Sequence, residues 1–306
     1  MKTKRSGLTV IEILVVVGIM ALLVGLLLPA VHTVQKMAKD TKQRAQLTAI
    51  ELGLAAFKND YGDYPPSNWW DPSTSVSGMV RDYCGAQKLA EALLGWDLMG
   101  FHPDSAWRSD GLDANKTANS VYWEKTVDVN ALKKRKGRYI ELESANAFLL
   151  GGGVDALFPG AVDPLAQRTY VLCDVYPVTE RKVRMSDGKM VSPGTPILYY
   201  RANPANLLHN PPSLDRTSAC VYDARDDIPL INLGQLADAT KATRDPHWLA
   251  ADIKAPGFDY FYDYIRDRRL PTTATDWPYR PDSYLLISAG MDGIYGTDDD
   301  IRNFGN

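Results

Sequence analysis

Four aspartates near the C-terminus form the densest group of potential ligands in the chain. Asp292 is followed by the run Asp298-Asp299-Asp300, and glycines stand at positions 290, 293 and 296. Glycine lets the backbone turn sharply, so carboxylate and carbonyl oxygens can converge on one point. Calcium takes about six to eight such oxygens, and the EF-hand spacing with its closing glutamate is missing here. The segment predicts a non-EF-hand calcium loop; the alternative is a solvated acidic turn.

Groups suited to catalysis are sparse in this sequence. The four histidines, at positions 32, 102, 209 and 247, are scattered, and no pair has the i, i+4 spacing of a helix-borne zinc site. No G-x-S-x-G nucleophile motif occurs. Asp223, Asp226 and Asp227 could supply an acid–base pair, but a solvated acidic turn is the better interpretation. We therefore expect no enzyme, and each histidine is expected to be a surface or packed residue.

The charge argues against a nucleic-acid-binding protein, and the cysteine spacing argues against a cysteine metal site. The 306 residues carry a net charge of −3, and the one basic cluster, Lys133-Lys134-Arg135-Lys136, is short. We therefore expect a solvated turn there and no nucleic-acid partner. Cys84, Cys173 and Cys220 lie far apart without metal-type spacing. An exported domain could oxidise one pair, but the sequence does not indicate which pair, or whether any bridge forms.

The N-terminus combines a short basic start with a long apolar stretch. Met1-Lys-Thr-Lys-Arg5 precedes Ser6–Leu28, in which Glu12 is the one acid. The stretch is long enough for the roughly 20 apolar residues that cross a bilayer, where an ionisable group is costly and usually functional. A cleavable secretory signal would need a small-residue site that Pro29-Ala30-Val31-His32 does not supply. A plain signal anchor would leave Glu12 unexplained.

The hexapeptide Gly7-Leu8-Thr9-Val10-Ile11-Glu12 resembles the prepilin motif of type IV pilins and type II secretion pseudopilins. The resemblance implies that a prepilin peptidase cuts between Gly7 and Leu8, and that Leu8 is then methylated. It also implies that Glu12 pairs with the amino-terminal charge of a neighbouring subunit; the alternative places Glu12 at the headgroup level of a membrane. Pro29 falls where many members carry a helix-kinking proline. Leu8 departs mildly from the phenylalanine often found there.

The apolar stretch continues into an amphipathic segment. Leu47, Ile50, Leu54 and Phe57 recur at spacings of three and four, which predicts one buried stripe on a helix that extends to about residue 60. Glycine and proline at positions 62, 65 and 66 predict its end. Further helices are predicted at 87–98 and 142–150.

Strand patterns follow the helices. Strands are predicted at 170–173, 197–200 and 283–288, the last apolar enough to be central, with a hairpin within 175–195. The turn at Asp163-Pro164 resembles the one that opens the sheet of major type II pseudopilins, with Ala166 in place of the usual glycine. The long insertion 203–281 is predicted to hold helices at 233–243 and 257–268. The fold class we expect is α+β and pilin-like: a long N-terminal α-helix, transmembrane in its first half, packed on an antiparallel β-sheet head with large insertions.

The aspartate-rich tail resembles the calcium loop of the major type II pseudopilins, where a Gly-x-Asp-Gly turn leads to an Asp-rich segment ending in Asp-Ile. The resemblance implies that Asp298 and Asp300 are calcium ligands. Asp292 is expected to be a ligand or the turn former, and Ser288 would complete the shell. Asp299 is expected to point to solvent.

The expected domain organisation follows from these segments. It comprises a prepilin leader (1–7), a transmembrane or filament-core helix (8–31), its amphipathic continuation (32–62) and a periplasmic or extracellular head (63–306). The head would hold insertions at about 67–160 and 203–281 and the calcium-type loop at 288–303.

The expected function is that of a structural subunit of a type II secretion-like pseudopilus, calcium-stabilised and polymerised through its N-terminal helix. The expected location is the inner (cytoplasmic) membrane, with a single pass, the head outside and assembly into a filament. Expected partners are the prepilin peptidase, other pilin-like subunits, an inner-membrane assembly platform and the membrane. The alternatives are a type IV pilus subunit, or a membrane-anchored binding or catalytic head. The absence of a C-terminal cysteine pair favours the pseudopilin.

Overall fold

The chain forms two compact units, Met1–Lys42 and Gln43–Asn306. Within them, the computed structural model describes residues 7, 9–68, 82–109, 111, 121–122, 132–160, 165–185, 187–210, 220–250, 259–271 and 276–305. Leu8, the predicted methylation site, and the turn predicted at Asp163-Pro164 lie outside the described residues.

The first element is a helix of 52 residues, α1, Val10–Tyr61. The helix continues through Pro29 and ends at Tyr61, since the next residue, Gly62, has a φ of 88°. In the second unit, the predicted stripe is confirmed: Leu47, Ile50, Leu54 and Phe57 are at most 4% exposed. Their spacing puts them on one face of the helix, and that face joins the core.

The membrane prediction is wrong. Crossing a bilayer takes about 20 predominantly apolar residues in one helix. Of the helices that the structure describes, none has the length and apolar character that a membrane span needs. This finding overturns both the transmembrane first half of the N-terminal helix and the single-pass inner-membrane location.

Among the residues described in the second unit, the strands form three small antiparallel sheets. The first pairs β1 (Ala147–Leu149) with β2 (Tyr170–Leu172), and the second pairs β3 (Val183–Arg184) with β4 (Met190–Val191). The third has the order β5-β6-β7, with β5 at Leu198–Arg201, β6 at Tyr284–Ser288 and β7 at Ile301–Arg302. The three predicted strands and the hairpin are present. The expected head with one sheet is wrong, because β2 pairs with β1 in a sheet of its own.

The described part of the second unit also contains short helices. They are α2 (Gly85–Leu94), α3 (Leu142–Ala145), α4 (Ile228–Ile231) and α5 (Asp259–Ile265), with 3-10 turns at Ala224–Asp226 and Leu236–Asp238.

The observed helices are shorter than the predicted ones. The predicted helix 87–98 stops at Leu94, because Gly95 has a φ of 78°. The predicted helix 142–150 stops at Asn146, whose left-handed conformation (φ 49°) leads into β1. The helix predicted at 233–243 is reduced to a 3-10 turn. The helix predicted at 257–268 is α5, with residues 257–258 outside the described chain.

The three-stranded sheet is covered on both faces. Strand β6 is buried at every position, as expected of a strand with a continuous apolar sequence. Leu285 and Ile287 pack into a core to which the insertion contributes, whereas Tyr284 and Leu286 pack into a core shared with α1 and α2. The insertion contributes Leu230, Ile231, Phe261, Tyr262 and Ile265 to the first core; α1 and α2 contribute Ile50, Leu54, Leu89 and Leu93 to the second. Part of the insertion 203–281 therefore forms a layer of the head.

Candidate cation-binding loop and N-terminal segment

The aspartate-rich segment forms the connection between β6 and β7. Ser288, the last residue of β6, pairs with Ile301, the first of β7. Gly290, Gly293 and Gly296 have φ values of 67°, 70° and 98°. A Cβ atom on Gly290 would lie 2.3 Å from the carbonyl oxygen of Asp299, so a side chain does not fit there. The prediction that glycines let this backbone curl is confirmed.

The Asp299 carboxylate accepts hydrogen bonds from other residues of the same loop. Its Oδ2 accepts hydrogen bonds from the backbone N–H groups of Met291 (2.7 Å) and Asp292 (3.1 Å), and its Oδ1 accepts one from the Thr297 hydroxyl (2.6 Å). Burial alone would raise the pKa of Asp299, but the bonds from Thr297 and these two N–H groups lower it. The expectation that Asp299 points to solvent is wrong, because the loop uses its carboxylate as an internal acceptor.

One carboxylate oxygen of Asp300 accepts no hydrogen bond from the described residues. Its side chain is buried, and its Oδ2 accepts hydrogen bonds from the Tyr264 hydroxyl and from the Gly296 N–H group (2.8 Å). Its Oδ1 is buried without a hydrogen-bond partner in the described part of the chain. Burial raises the pKa of Asp300 to about 7. A buried carboxylate oxygen without a donor is costly, and a cation or a proton would remove that cost.

The Ser288 side chain is hydrogen-bonded to a buried aspartate, Asp174. Its hydroxyl donates to Oδ2 of Asp174 at 3.1 Å, and Oδ1 of Asp174 accepts from the N–H groups of Thr195 (3.1 Å) and Tyr176 (3.2 Å). Both Ser288 and Asp174 are fully buried, and burial raises the pKa of Asp174 well above its usual range. Sequence analysis missed Asp174, since a single acid after a strand carries no spacing signal.

The other two predicted ligands lie at the surface. Asp292 accepts the N–H group of Ile294 at 2.8 Å, which is the turn-forming role predicted as one of its two alternatives. Asp298 is exposed on the wall of a cavity of about 210 Å³ that Arg302 also lines. In the described chain, no three acidic, imidazole or thiol groups come together as metal ligands. The predicted set of Ser288, Asp292, Asp298 and Asp300 thus does not converge, and Asp300 is the member with an unfilled buried oxygen.

At the other end of the chain, Glu12 caps the start of α1. Its Oε2 accepts hydrogen bonds from the N–H group and the hydroxyl of Thr9, both at 2.8 Å, and the Glu12 N–H group donates to that hydroxyl at 3.4 Å. This reciprocal arrangement is a capping box. The bonds from the Thr9 N–H group and hydroxyl lower the pKa of Glu12. Sequence analysis missed this role, although the spacing Thr-x-x-Glu is its signal.

Large apolar side chains remain exposed along the first half of α1. Their exposed fractions range from 48% at Val31 to 81% at Val10. They follow one another without polar interruption from Ile13 to Leu28, so they lie on all sides of the helix. Gly7 has open space around its Cα, with nothing within 4 Å of an added Cβ.

Two acids of the insertion are buried, which corrects the expectation of a solvated turn. Asp227 is fully buried, and its two oxygens accept the N–H groups of Ala86 and Tyr199, each at 2.8 Å. Burial raises the pKa of Asp227 to about 7. Asp226 is 4% exposed and accepts a hydrogen bond from the Ser67 hydroxyl. Asp227 therefore lies between α2 and β5, and Asp226 lies against the segment that follows α1.

The histidines and cysteines are packing residues. His102, His209 and His247 are buried, and Nδ1 of His247 accepts the Tyr295 N–H group at 3.3 Å. Burial lowers the pKa of His247 to about 4, so the ring is neutral. All three cysteines are buried, and no disulfide joins them. The side chain of His32 lies outside the described part of the chain.

Comparisons with known proteins found no relative of this chain. No protein-family model, no curated protein and no solved structure matches the chain.

Proposed function

We propose that the chain is a structural subunit of a pseudopilus-like filament of the type II secretion kind, joined to other copies through α1. The exposed apolar surface of α1 from Val10 to Leu28 supports this proposal most strongly. A helix that is apolar on all sides is stable only when it is buried. The same surface on other copies of the chain supplies complementary cover, and bundling these helices builds a filament core.

Processing of the N-terminus belongs to the same proposal. The basic start and the motif around Gly7 and Leu8 suit cleavage by a prepilin peptidase. The carboxylate of Glu12 lies at the first turn of α1, four residues beyond the amine that cleavage would create at Leu8. An ion pair between Glu12 of one copy and the Leu8 amine of the next would set the stagger between subunits.

Intact mass and N-terminal sequencing test the processing step. The full chain is produced in cells with and without a prepilin peptidase. We expect a chain that starts at methylated Leu8 when the peptidase is present, and the intact start when it is absent. A Gly7→Val variant should remain uncut. A wild-type chain that keeps Met1-Lys2 under both conditions would contradict the proposal.

The assembly step has its own experiment. With the peptidase present, filaments are counted by negative-stain electron microscopy for the wild type, Glu12→Gln and the matched control Glu143→Gln, an exposed glutamate on α3. We expect Glu12→Gln to be processed and to form at least tenfold fewer filaments, since the amide carries no charge for the Leu8 amine. Glu143→Gln should assemble like the wild type. Normal filaments from Glu12→Gln would refute the ion pair.

Calcium binding at the β6–β7 loop is a separate part of the proposal. The buried, unfilled Oδ1 of Asp300 supports it. A cation there would supply positive charge to the carboxylate and stabilise the loop. We expect calcium to raise the melting temperature of the wild type over that in EDTA, and Asp300→Asn to lose this shift. Asp187→Asn, at an exposed turn, should keep it. Equal melting of the wild type with and without calcium would exclude the site.

A further inference from the structure

Lys88 is a buried lysine in contact with an asparagine side chain. It lies on α2 with 1% of its surface exposed, although lysine is rarely buried so completely. Its Nζ is 2.5 Å from the carbonyl oxygen of Asn68 and 3.1 Å from the side-chain oxygen Oδ1. The amine is therefore held against the carboxamide group of a residue twenty positions earlier in the chain.

The contact brings a nucleophile close to an electrophilic carbon. A C=O bond is about 1.23 Å long, so Nζ of Lys88 lies within about 4.3 Å of Cγ of Asn68. Attack needs the neutral amine, so Lys88 must transfer a proton to a neighbouring group before the new bond forms. Holding two reacting groups in a fixed orientation can lower the activation barrier by a large amount.

A buried acid lines the same cavity as Asn68. Asp226 accepts a hydrogen bond from Ser67, the residue before Asn68. Asp226, Ser67 and Asn68 line one cavity of about 330 Å³. Burial, followed by repulsion from Asp223, raises the pKa of Asp226 well above its usual range. Its carboxyl group lies at the cavity wall, where it can exchange protons with a reacting amide.

We propose that Lys88 and Asn68 form an intramolecular isopeptide bond. Nζ of Lys88 attacks Cγ of Asn68, the new C–N bond forms, and the bond from Cγ to Nδ2 breaks. The carboxyl group of Asp226 gives its proton to the departing nitrogen and accepts the proton that the attacking amine loses. Ammonia leaves through the cavity. An amine and a carboxamide become one secondary amide and ammonia, so the step needs no oxidant or co-reactant.

The bond would have a structural effect on the head. Asn68 lies seven residues beyond the end of α1, and Lys88 lies in the first turn of α2. The cross-link would close the intervening chain into a covalent loop and restrict the unfolded state, as any such closure does. The inference stands apart from the proposed filament, because it uses residues of the second unit alone.

Mass spectrometry of the purified full chain tests the inference. We expect a mass lower than the sequence mass by one ammonia, about 17 Da. A succinimide at Asn68 would give the same loss, so trypsin digestion decides. An isopeptide blocks cleavage after Lys88, and the expected product is peptide 59–81 joined to peptide 82–108. Full cleavage after Lys88 together with a linear 59–81 peptide would overturn the proposal.

Three variants locate the chemistry. Lys88→Arg removes the nucleophile and keeps the positive charge, and Asp226→Asn removes the exchangeable carboxyl proton; both should abolish the joined peptide and the mass loss. Lys136→Arg, at an exposed ion pair, is the matched control and should retain both. If Lys88→Arg does not fold, the wild-type digest still decides. A joined peptide of undiminished yield in Asp226→Asn would overturn the assigned role of Asp226.

Discussion

Asp227 connects two elements through one side chain. One carboxylate oxygen accepts the Ala86 N–H group at the start of α2, and the other accepts the Tyr199 N–H group on β5. A buried backbone N–H group without an acceptor costs about 1–3 kcal/mol, so a single acid stabilises both elements. This role of Asp227 is structural.

Stability should depend on pH through Asp227. Its pKa is about 7 in the folded chain and about 3.9 when unfolded, so its contribution is full below pH 4 and is lost as the pH rises through 7. Between pH 5 and 8 the loss is about 3 kcal/mol. Denaturant titrations at both pH values should show a weaker pH dependence for Asp227→Asn than for the wild type, and an unchanged one for Asp187→Asn. Equal pH dependence in Asp227→Asn and the wild type would contradict this assignment.

At the residue scale, the sequence identified potential ligand residues better than it predicted whether each side chain is buried and what it contacts. The acids of the β6–β7 loop were found from their density and their glycines. The burial of Asp174, Asp226 and Asp227 was missed, because it depends on which distant segment covers each acid. Asp299 was misplaced for a related reason: its partners, Met291 and Asp292, become neighbours only after the loop has turned.

At the scale of elements, the second half of α1 is an amphipathic helix whose apolar face is in the core. Leu54→Ala should destabilise the chain by about 3 kcal/mol, because it leaves a cavity at a fully buried site. Leu52→Ala, at a site that is 68% exposed on the same helix, should change stability by less than about 0.5 kcal/mol. Urea denaturation measures both. Similar losses in the two variants would refute the assignment of the buried face.

The β6–β7 loop gives a second prediction at this scale. In EDTA, Asp299→Ala should lose about 1 kcal/mol of stability, because the exposed N–H groups of Met291 and Asp292 exchange their bonds to the carboxylate for bonds to water. Asp298→Ala, the neighbouring and exposed acid, should melt like the wild type. Differential scanning calorimetry compares them. A larger loss in Asp298→Ala would mean that the loop is organised around a different carboxylate.

Local sequence patterns predicted which segments form helices or strands. They did not predict which strands pair with one another. The period of α1 and the apolar runs of β2, β5 and β6 predicted those elements, because periodicity reflects burial directly. Helix ends at Gly95 and Asn146 depend on a single residue in a positive-φ conformation, which shortens helices that a pattern extends. The pairing of β2 with β1 depends on contacts that no local pattern encodes.

For the whole molecule, the division into two units has a measurable consequence. The buried cores described here belong to Gln43–Asn306. A fragment that starts at residue 43 should therefore fold cooperatively and melt within a few degrees of the full chain. Circular dichroism on heating measures this. A fragment without a cooperative transition would show that the head needs the first unit to fold.

The order of the strands has a consequence for the timing of folding. Arg201 of β5 pairs with Tyr284 of β6, and β7 follows only at Ile301. The central sheet therefore has high contact order, and its closure must overcome the entropy of the long chain between residues 201 and 284. A ribosome synthesises β6 and β7 only after the long segment that follows β5, so the three-stranded sheet cannot close until this later part of the chain has emerged. Gly7 leaves the ribosome before either strand, so the proposed cleavage between Gly7 and Leu8 does not have to wait for the head to fold.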